Sequence, residues 1–320
     1  MPNASAKADF PVMSDSFELL KSVAGNLPAR AKIASLLRAA FDAAHFIEVE
    51  TPVGILAPAA EEYIEAPRAG DNFFLRTSPE LQMKRLLAAG MERIYQLGPC
   101  FRAGENGRKH RQEFTMLEFY AAHWDYMQLL EFTHSFLRSV CRGLHGEESF
   151  TFDGQKISLE KLEIISVREA FRRFAGKSAD DCAEEEGLFE LVLVDHVEPS
   201  LPKDRPCVLI DYPVRFGAFA RPKAEDPTLV ERWEIYMGGI ELANTYGELI
   251  DPVIQRERLT RFAKTRAEQG LTQYPEPAAF LEAIDRGIVP SAGSAMGFDR
   301  LVMLLTNNPH IQNISFPLDS

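Results

Sequence analysis

The chain has 320 residues, 46% of them hydrophobic, and a formal net charge of −12. That length suits one large domain or two ordinary ones with a sizeable buried core. The acidic balance argues against nonspecific nucleic-acid binding, which needs a basic surface to displace counterions, and favours a basic partner or a cationic substrate.

No apolar run reaches the roughly 18 residues of a membrane-spanning helix. The N-terminal MPNASAKADFPVMSDS lacks the apolar centre of a signal peptide. Cys100, Cys141, Cys182 and Cys207 are scattered without CxxC spacing. They suit neither a disulfide scaffold nor a zinc site, and fit a reducing cytoplasm.

Residues 1–14 read as a poorly ordered tail. Ser16–Val23 predicts a short helix. Pro28 then opens a longer amphipathic one through about Ala44, in which Ile33, Leu36, Leu37, Ala40 and Phe41 recur at helical spacing. Phe46–Glu50 predicts a strand stopped by Thr51-Pro52. Phe73–Arg76 predicts another, leading into Thr77-Ser78-Pro79-Glu80, where Ser78 or Thr77 can cap a helix running to about Ala89. Ile94–Gly98 is a further strand.

The stretch Phe101–Tyr120 reads as two strands around a polar loop that carries Arg102, Arg108, Lys109, His110 and Arg111. In the second strand Phe114, Met116, Glu118 and Tyr120 alternate onto one face. A cationic loop beside a face with a carboxylate and a phenol suits a pocket for an anionic phosphate chain and a cationic group; it equally suits a basic surface hairpin.

Tyr126–Gly143 is helical by pattern. Residues 146–205 change character, are acidic at 180–186, and read as an insertion or lid-like excursion. The GKS at 176–178 is no P-loop, because Phe171 stands where the upstream glycine is required. There is no GxSxG elbow, HExxH helix or internal repeat.

Pro206–Tyr212 is a nearly continuous apolar strand, as in a sheet interior. In Val230–Asn244, Gly238-Gly239 fits a two-residue hairpin turn. Pairing Met237 with Ile240 sets Tyr236 against Glu241 and Glu234 against Ala243, so Glu234 and Glu241 share a face. Two such carboxylates suit Mg²⁺ shared with phosphate oxygens, or a solvated hairpin. Glu248 lies at an odd offset from Glu241 and reaches that face only if the chain bulges or turns around Asn244–Gly247. Residues 251–270 and 277–287 are helical. Finally Pro290–Leu305 is a small-residue strand that breaks at Gly297 into a helix carrying Arg300 in its first turn, a place suited to a terminal phosphate or simply to solvent.

The helix–strand–Pro of 29–52, the FR…EFT hairpin of 101–120 and the GFDR of 297–300 resemble the three motifs of class II aminoacyl-tRNA synthetases, in order. TSPE at 77–80, EFTMLEFY at 113–120, ELAN…GEL at 241–249 and MGFDRLVMLLT at 296–306 resemble the lysyl-tRNA synthetase branch. Motif 1 begins too early for the OB-fold anticodon domain of those enzymes. The chain is therefore similar to the elongation factor P–lysine ligase family.

The resemblance implies an α+β fold: the class II catalytic domain, an antiparallel sheet flanked by helices, over residues 15–320 with no OB-fold. It implies ATP-dependent activation of lysine, preferably (R)-β-lysine, and transfer to a lysine of elongation factor P. A truncated lysyl-tRNA synthetase that acylates tRNA or another acceptor is the alternative; the acidic balance disfavours tRNA. A homodimer through motif 1 and no membrane association are expected.

Residue by residue, Arg102 and Arg300 would be catalytic. Arg102 would hold the α-phosphate, Phe114 would stack on adenine, and His110 and Arg300 would meet the outer phosphates. Ala103, Gly104, Glu105, Arg111, Leu242 and Gly297 would complete the ATP site. Glu234 and Glu241 would hold Mg²⁺, with Glu241 also counted among the nucleotide contacts. Ser78, Pro79, Glu80, Glu118, Tyr120, Asn244 and Glu248 would line the amino-acid pocket. Two positions depart from the family pattern. Gly104 replaces the usual glutamate, so Glu105 or backbone would take over its adenine contact, and Arg111-Gln112 replaces Asn-Pro.

Overall fold

The computed structural model describes residues 16–59 and 61–316, so the expected tail at 1–14 lies outside the described residues. The first element is a single helix, α1 (Ser16–Ala43), with Pro28 inside it. Two helices were expected because proline lacks the N–H that would bond the carbonyl four residues back. That carbonyl belongs to Ala24, and both Ala24 and Pro28 are exposed, so solvent can take over the lost bond without ending the helix.

Strand β1 (Ile47–Glu48) is only the middle of the predicted 46–50. β2 (Gly54–Ile55) and β3 (Phe74–Leu75) form a short ribbon. Buried Arg76 locks that ribbon to its surroundings by donating to Thr51 O (2.8 Å) and Pro99 O (2.9 Å). Ser78 accepts a hydrogen bond from the Glu80 N–H (3.0 Å) and so starts helix α2 (Glu80–Ala88). β4 (Arg93–Phe101) and β5 (Glu113–Ala122) then pair antiparallel without a bulge from Arg93↔Ala121 to Phe101↔Glu113. The predicted polar loop is thus residues 102–112.

Helix α3 (Tyr126–His145) opens with a capping box between Asp125 and Gln128 and closes at Gly146, whose φ of 81° only glycine adopts freely. β6 (Ser149–Phe152) and β7 (Gln155–Ser158) form a hairpin. β8 (Glu163–Ser166) leads to short helices α4 (Val167–Ala170), α5 (Ala179–Glu184) and α6 (Leu188–Val192). The stretch 146–205 therefore supplies one strand of the main sheet, and its helices share a core with Leu209, Tyr212 and Tyr236.

β9 (Cys207–Pro213), β10 (Leu229–Met237) and β11 (Ile240–Gly247) follow. Gly238 and Gly239 turn the last two at φ 56° and 75°, as a two-residue hairpin of this twist demands. Helices α7 (Pro252–Glu268) and α8 (Ala278–Arg286), strand β12 (Ser291–Gly297) and helix α9 (Phe298–Leu305) complete the chain.

The main sheet has eight strands in the order β1-β4-β5-β12-β11-β10-β9-β8. The expected antiparallel sheet occupies its centre, while the outer pairs β1·β4 and β8·β9 are parallel. Alternation in β5 divides the faces. Leu117, Phe119 and Ala121 join one core with residues of α1, α3 and α9. On the other face α2 and α8 share a core with Tyr120, and the same face leaves room for a cavity.

Candidate active site

Phe114, Met116, Glu118 and Tyr120, the four residues expected on one face, all line a cavity of about 300 Å³. Glu234, Glu241, Asn244 and Glu248 line it as well, and a bulge explains how. The turn end pairs as expected, Met237↔Ile240 and Tyr236↔Glu241, but Ile235 then pairs with Ala243 and Glu234 with Asn244. Leu242 is the extra residue. The expected Glu234↔Ala243 pair is thereby corrected, and the irregularity that brings Glu248 round lies at Leu242 rather than at Asn244–Gly247. One added residue flips the parity of everything after it, so Asn244, Tyr246 and Glu248 join the face of Glu241.

One end of the cavity is cationic. Arg102 sits 5.3 Å from the centre of the Phe114 ring and 3.6 Å from the Glu105 carboxylate. Its Nε is buried with no hydrogen-bond partner among the described residues, which is costly for a guanidinium unless an anion arrives. Arg300 donates from Nη1 to the Glu241 carbonyl (2.7 Å) and from Nη2 to His110 Nε2 (2.7 Å). An arginine only donates, so His110 is the neutral tautomer with its proton on Nδ1. Burial, and next the Arg300 charge, lower the His110 pKa in agreement.

The two departures from the family pattern have local causes. Gly104 stands at φ 80°, where a glutamate would be strained, and the carboxylate beside Arg102 comes from Glu105 instead. Arg111 lines the cavity, but its guanidinium is taken by the C-terminal segment, donating to Ser315 Oγ and to Phe316 O. Leu242 and Gly297 also line the cavity, whereas Ala103, Gly104 and Pro79 are not among its lining residues. Ala103 instead donates its N–H to Glu65 O (2.8 Å), and Pro79 precedes α2.

The other end is acidic and densely bonded. Glu118 receives hydrogen bonds from Ser78 Oγ (2.7 Å) and Tyr120 Oη (2.6 Å). Burial, and next the charge of Glu80, push its carboxyl up to about 8. Lys84, buried in α2, bridges Glu80 (2.6 Å) and Glu248 (2.5 Å). Burial works against its charge, but Glu248 and Glu80 together outweigh that and keep its pKa above the ordinary value. Lys84 therefore cancels part of the acidity that the sequence assigns to this pocket.

Of the expected metal pair, Glu234 is already well bonded. Tyr212 and Tyr236 donate to its Oε2 (2.7 and 2.6 Å) and Arg232 to its Oε1 (2.5 Å). Glu241 is the more open carboxylate, touched by Arg300 at 3.2 Å. A third acid, Glu198, is reached by the Tyr236 hydroxyl at 3.3 Å, and burial followed by the charges of Glu234 and Glu241 pushes it up to about 7. Among the described residues no group of three or more His, Cys, Asp or Glu is placed to hold a metal. This donor set fits an ion that takes most of its ligands from phosphate and water, as Mg²⁺ does, rather than a protein cage.

A partly buried junction ties the three motif regions together. Arg30 of α1 donates to Asp299 Oδ1 (2.6 Å) at the start of α9 and to Thr115 Oγ1 (2.8 Å) of β5, while the Thr115 N–H donates to Asp299 Oδ2 (2.9 Å).

A family model described as tRNA synthetases class II (D, K and N) matches residues 18–320. The elongation factor P–(R)-β-lysine ligase of Erwinia tasmaniensis is 36% identical over 96% of this chain and 99% of its own length. That of an Enterobacter species is 35% identical over 92% of this chain and 95% of its own. The chain belongs to the elongation factor P–(R)-β-lysine ligase family. The lysine–tRNA ligase of Pelotomaculum thermopropionicum is 35% identical over 90% of this chain, which spans only 62% of that protein. For this ligase-family member the class II fold is the expected one, and its eight-stranded sheet fits.

Several residues of the site escaped sequence reasoning. Arg232 bonds Glu234, Asn244 Oδ1 (3.2 Å) and Phe216 O (2.5 Å) and stacks 4.4 Å from the Tyr212 ring. Tyr246 accepts from Asn244 Nδ2 at 3.0 Å and lines the cavity. Strand parity could have found Tyr246 once the bulge was known. Lys84 was within reach through its i,i+4 spacing to Glu80, though its contact with Glu248 was not; Glu61 carried no signal, since a glutamate in a loop is ordinary on a surface.

Proposed function

We propose that this protein uses ATP to activate lysine, preferably (R)-β-lysine, and transfers the aminoacyl group to a lysine side chain of elongation factor P. The observation that carries this reading is the polarity of one cavity. A buried guanidinium edge without a partner among the described residues stands at one end, and an excess of carboxylates with a phenol stands at the other. ATP suits the first end and a diamino acid suits the second, because a desolvated charge is tolerated only with a counter-charge.

In the first step an oxygen of the substrate carboxylate attacks the α-phosphorus, the bond to the β-phosphate oxygen breaks, and pyrophosphate leaves. Arg102 holds the α-phosphate, where charge builds up, and Phe114 stacks on adenine. Arg300 and neutral His110 meet the outer phosphates, with Glu105, Arg111, Leu242 and Gly297 completing the nucleotide site. Magnesium, when bound by Glu241 and Glu234, supplies charge neutralisation of the phosphates. Ser78, Glu80, Glu118, Tyr120, Asn244 and Glu248 position the amino acid. In the second step an acceptor amine attacks the adenylate carbonyl, forming the amide, expelling AMP and losing a proton. No protein nucleophile is required, so catalysis is positioning and charge stabilisation. An acceptor that works in translation agrees with a cytoplasmic protein whose four cysteines are buried and free.

Lysine-dependent exchange of labelled pyrophosphate into ATP tests the first step. Arg102→Ala should lower that exchange by roughly 100-fold or more, as for loss of a donor at a developing charge. An unchanged rate overturns the Arg102 assignment. Acylation of elongation factor P and of tRNA, measured side by side with the same adenylate, decides the acceptor.

A further inference from the structure

Glu61 lies on the loop between β2 and β3, and its backbone is held from behind. Buried Arg266 of α7 donates to the carbonyls of Glu61 (2.7 Å) and Ile64 (2.8 Å), pairs with Glu65 (2.6 Å), and lies 4.4 Å from the Tyr274 ring. The Ala103 N–H bonds Glu65 O, which ties the same loop to the cationic end of the cavity. With its backbone fixed, the Glu61 side chain lines the cavity.

There it has no hydrogen bond and no ion pair among the described residues, unlike the other acids of the amino-acid pocket. Lys84 occupies Glu80 and Glu248, and Glu118 is held by Ser78 and Tyr120. Burial raises the Glu61 pKa above the ordinary carboxylate value, and the charges that act on it most are Arg102 and then Glu80. Glu61 thus lines the cavity within electrostatic reach of Arg102 at one end and Glu80 at the other, with no ion-pair partner among the described residues.

We infer that Glu61 is a specificity-determining residue that receives the substrate amine nearer the carboxylate, leaving the distal amine to Glu118, Tyr120 and Glu248. The inference rests on the proposed function. The reacting carboxylate must lie against the α-phosphate held by Arg102. A carboxylate of the cavity wall that feels both Arg102 and Glu80 then faces the carbon one or two bonds farther along. Diamino acids are selected because each amine has its own acid, and a monoamino acid leaves one carboxylate buried and unpaired.

Glu61→Gln preserves shape and removes the charge. Its KM for lysine in pyrophosphate exchange should rise by about 10-fold or more, as for loss of a charge-assisted hydrogen bond, with kcat and the KM for ATP nearly unchanged. Norleucine, which keeps only the proximal amine, should become a weaker inhibitor by a similar factor. 6-Aminohexanoate, which keeps only the distal amine, should inhibit as before. Glu61→Asp should fall between wild type and Glu61→Gln. Equal weakening of both analogues, or no change in the KM for lysine, overturns this inference while the proposed function stands. Wild-type protein that exchanges with no diamino acid overturns the function and this inference with it.

Discussion

With no substrate ammonium beside it, Glu118 is a carboxyl group set where its ionised form is least welcome. It is almost fully buried, beside Glu80, and its pKa is pushed up to about 8 by burial first and that neighbour second. In the unfolded chain a glutamate ionises near pH ~4.3. Between these values the folded protein keeps a proton that the unfolded chain has lost, so stability falls as pH rises through that window. Glu118→Gln keeps the shape and one carbonyl acceptor for these two donors, and removes the titrating group. Thermal unfolding followed from pH ~5 to ~8 should therefore show a flatter decline for the variant than for wild type. An identical decline refutes the raised pKa. At this scale the sequence showed which residues alternate onto the cavity face. The i,i+4 spacing in α2 could pair Lys84 with Glu80, but not with Glu248, because a helix and a strand end meet only in three dimensions.

Strand β12 shows how an element makes room for a site. Its run Ser-Ala-Gly-Ser-Ala-Met-Gly carries little side-chain bulk, and Gly293 pairs directly with Tyr120 of β5. A Cβ on Gly293 would collide with Tyr120 Cε1 and Cδ1 and with Glu248 Oε1. Gly293→Ala should cost about 1–3 kcal/mol in urea unfolding, as overpacking does, because the ring must shift. Lysine-dependent exchange should fall by roughly 10-fold, since small displacements of positioning groups are costly. Unaltered exchange would mean that Tyr120 and Glu248 do not shape the pocket. The small residues of β12 were legible as a platform for close approach. The extra residue at Leu242 was not, because a hairpin read by parity assumes one residue opposite one.

For the whole molecule, β1 is an outer strand of the eight-stranded sheet, and Ile47 on it is 57% exposed. No helix among the described residues is long and apolar enough to cross a membrane. We expect α1 and β1 to pair across a two-fold axis, which would cover Ile47 and suit a self-complementary interface. Light scattering should give twice the mass of one chain at micromolar concentration. A monomer with full exchange activity removes the dimer from the functional unit.

The sequence by itself determined the chain of elements around the site. Strand alternation, the Gly-Gly turn and the Gly297–Arg300 break are local signals, written in residues within a few positions of one another. Tertiary structure decided what neutralises what. It set Lys84 between two glutamates, Arg232 against Glu234, the C-terminal segment on Arg111, and left Arg102 Nε and the Glu61 carboxylate without partners among the described residues. Charge pairing depends on distance in space and on burial, and neither is fixed by separation along the chain.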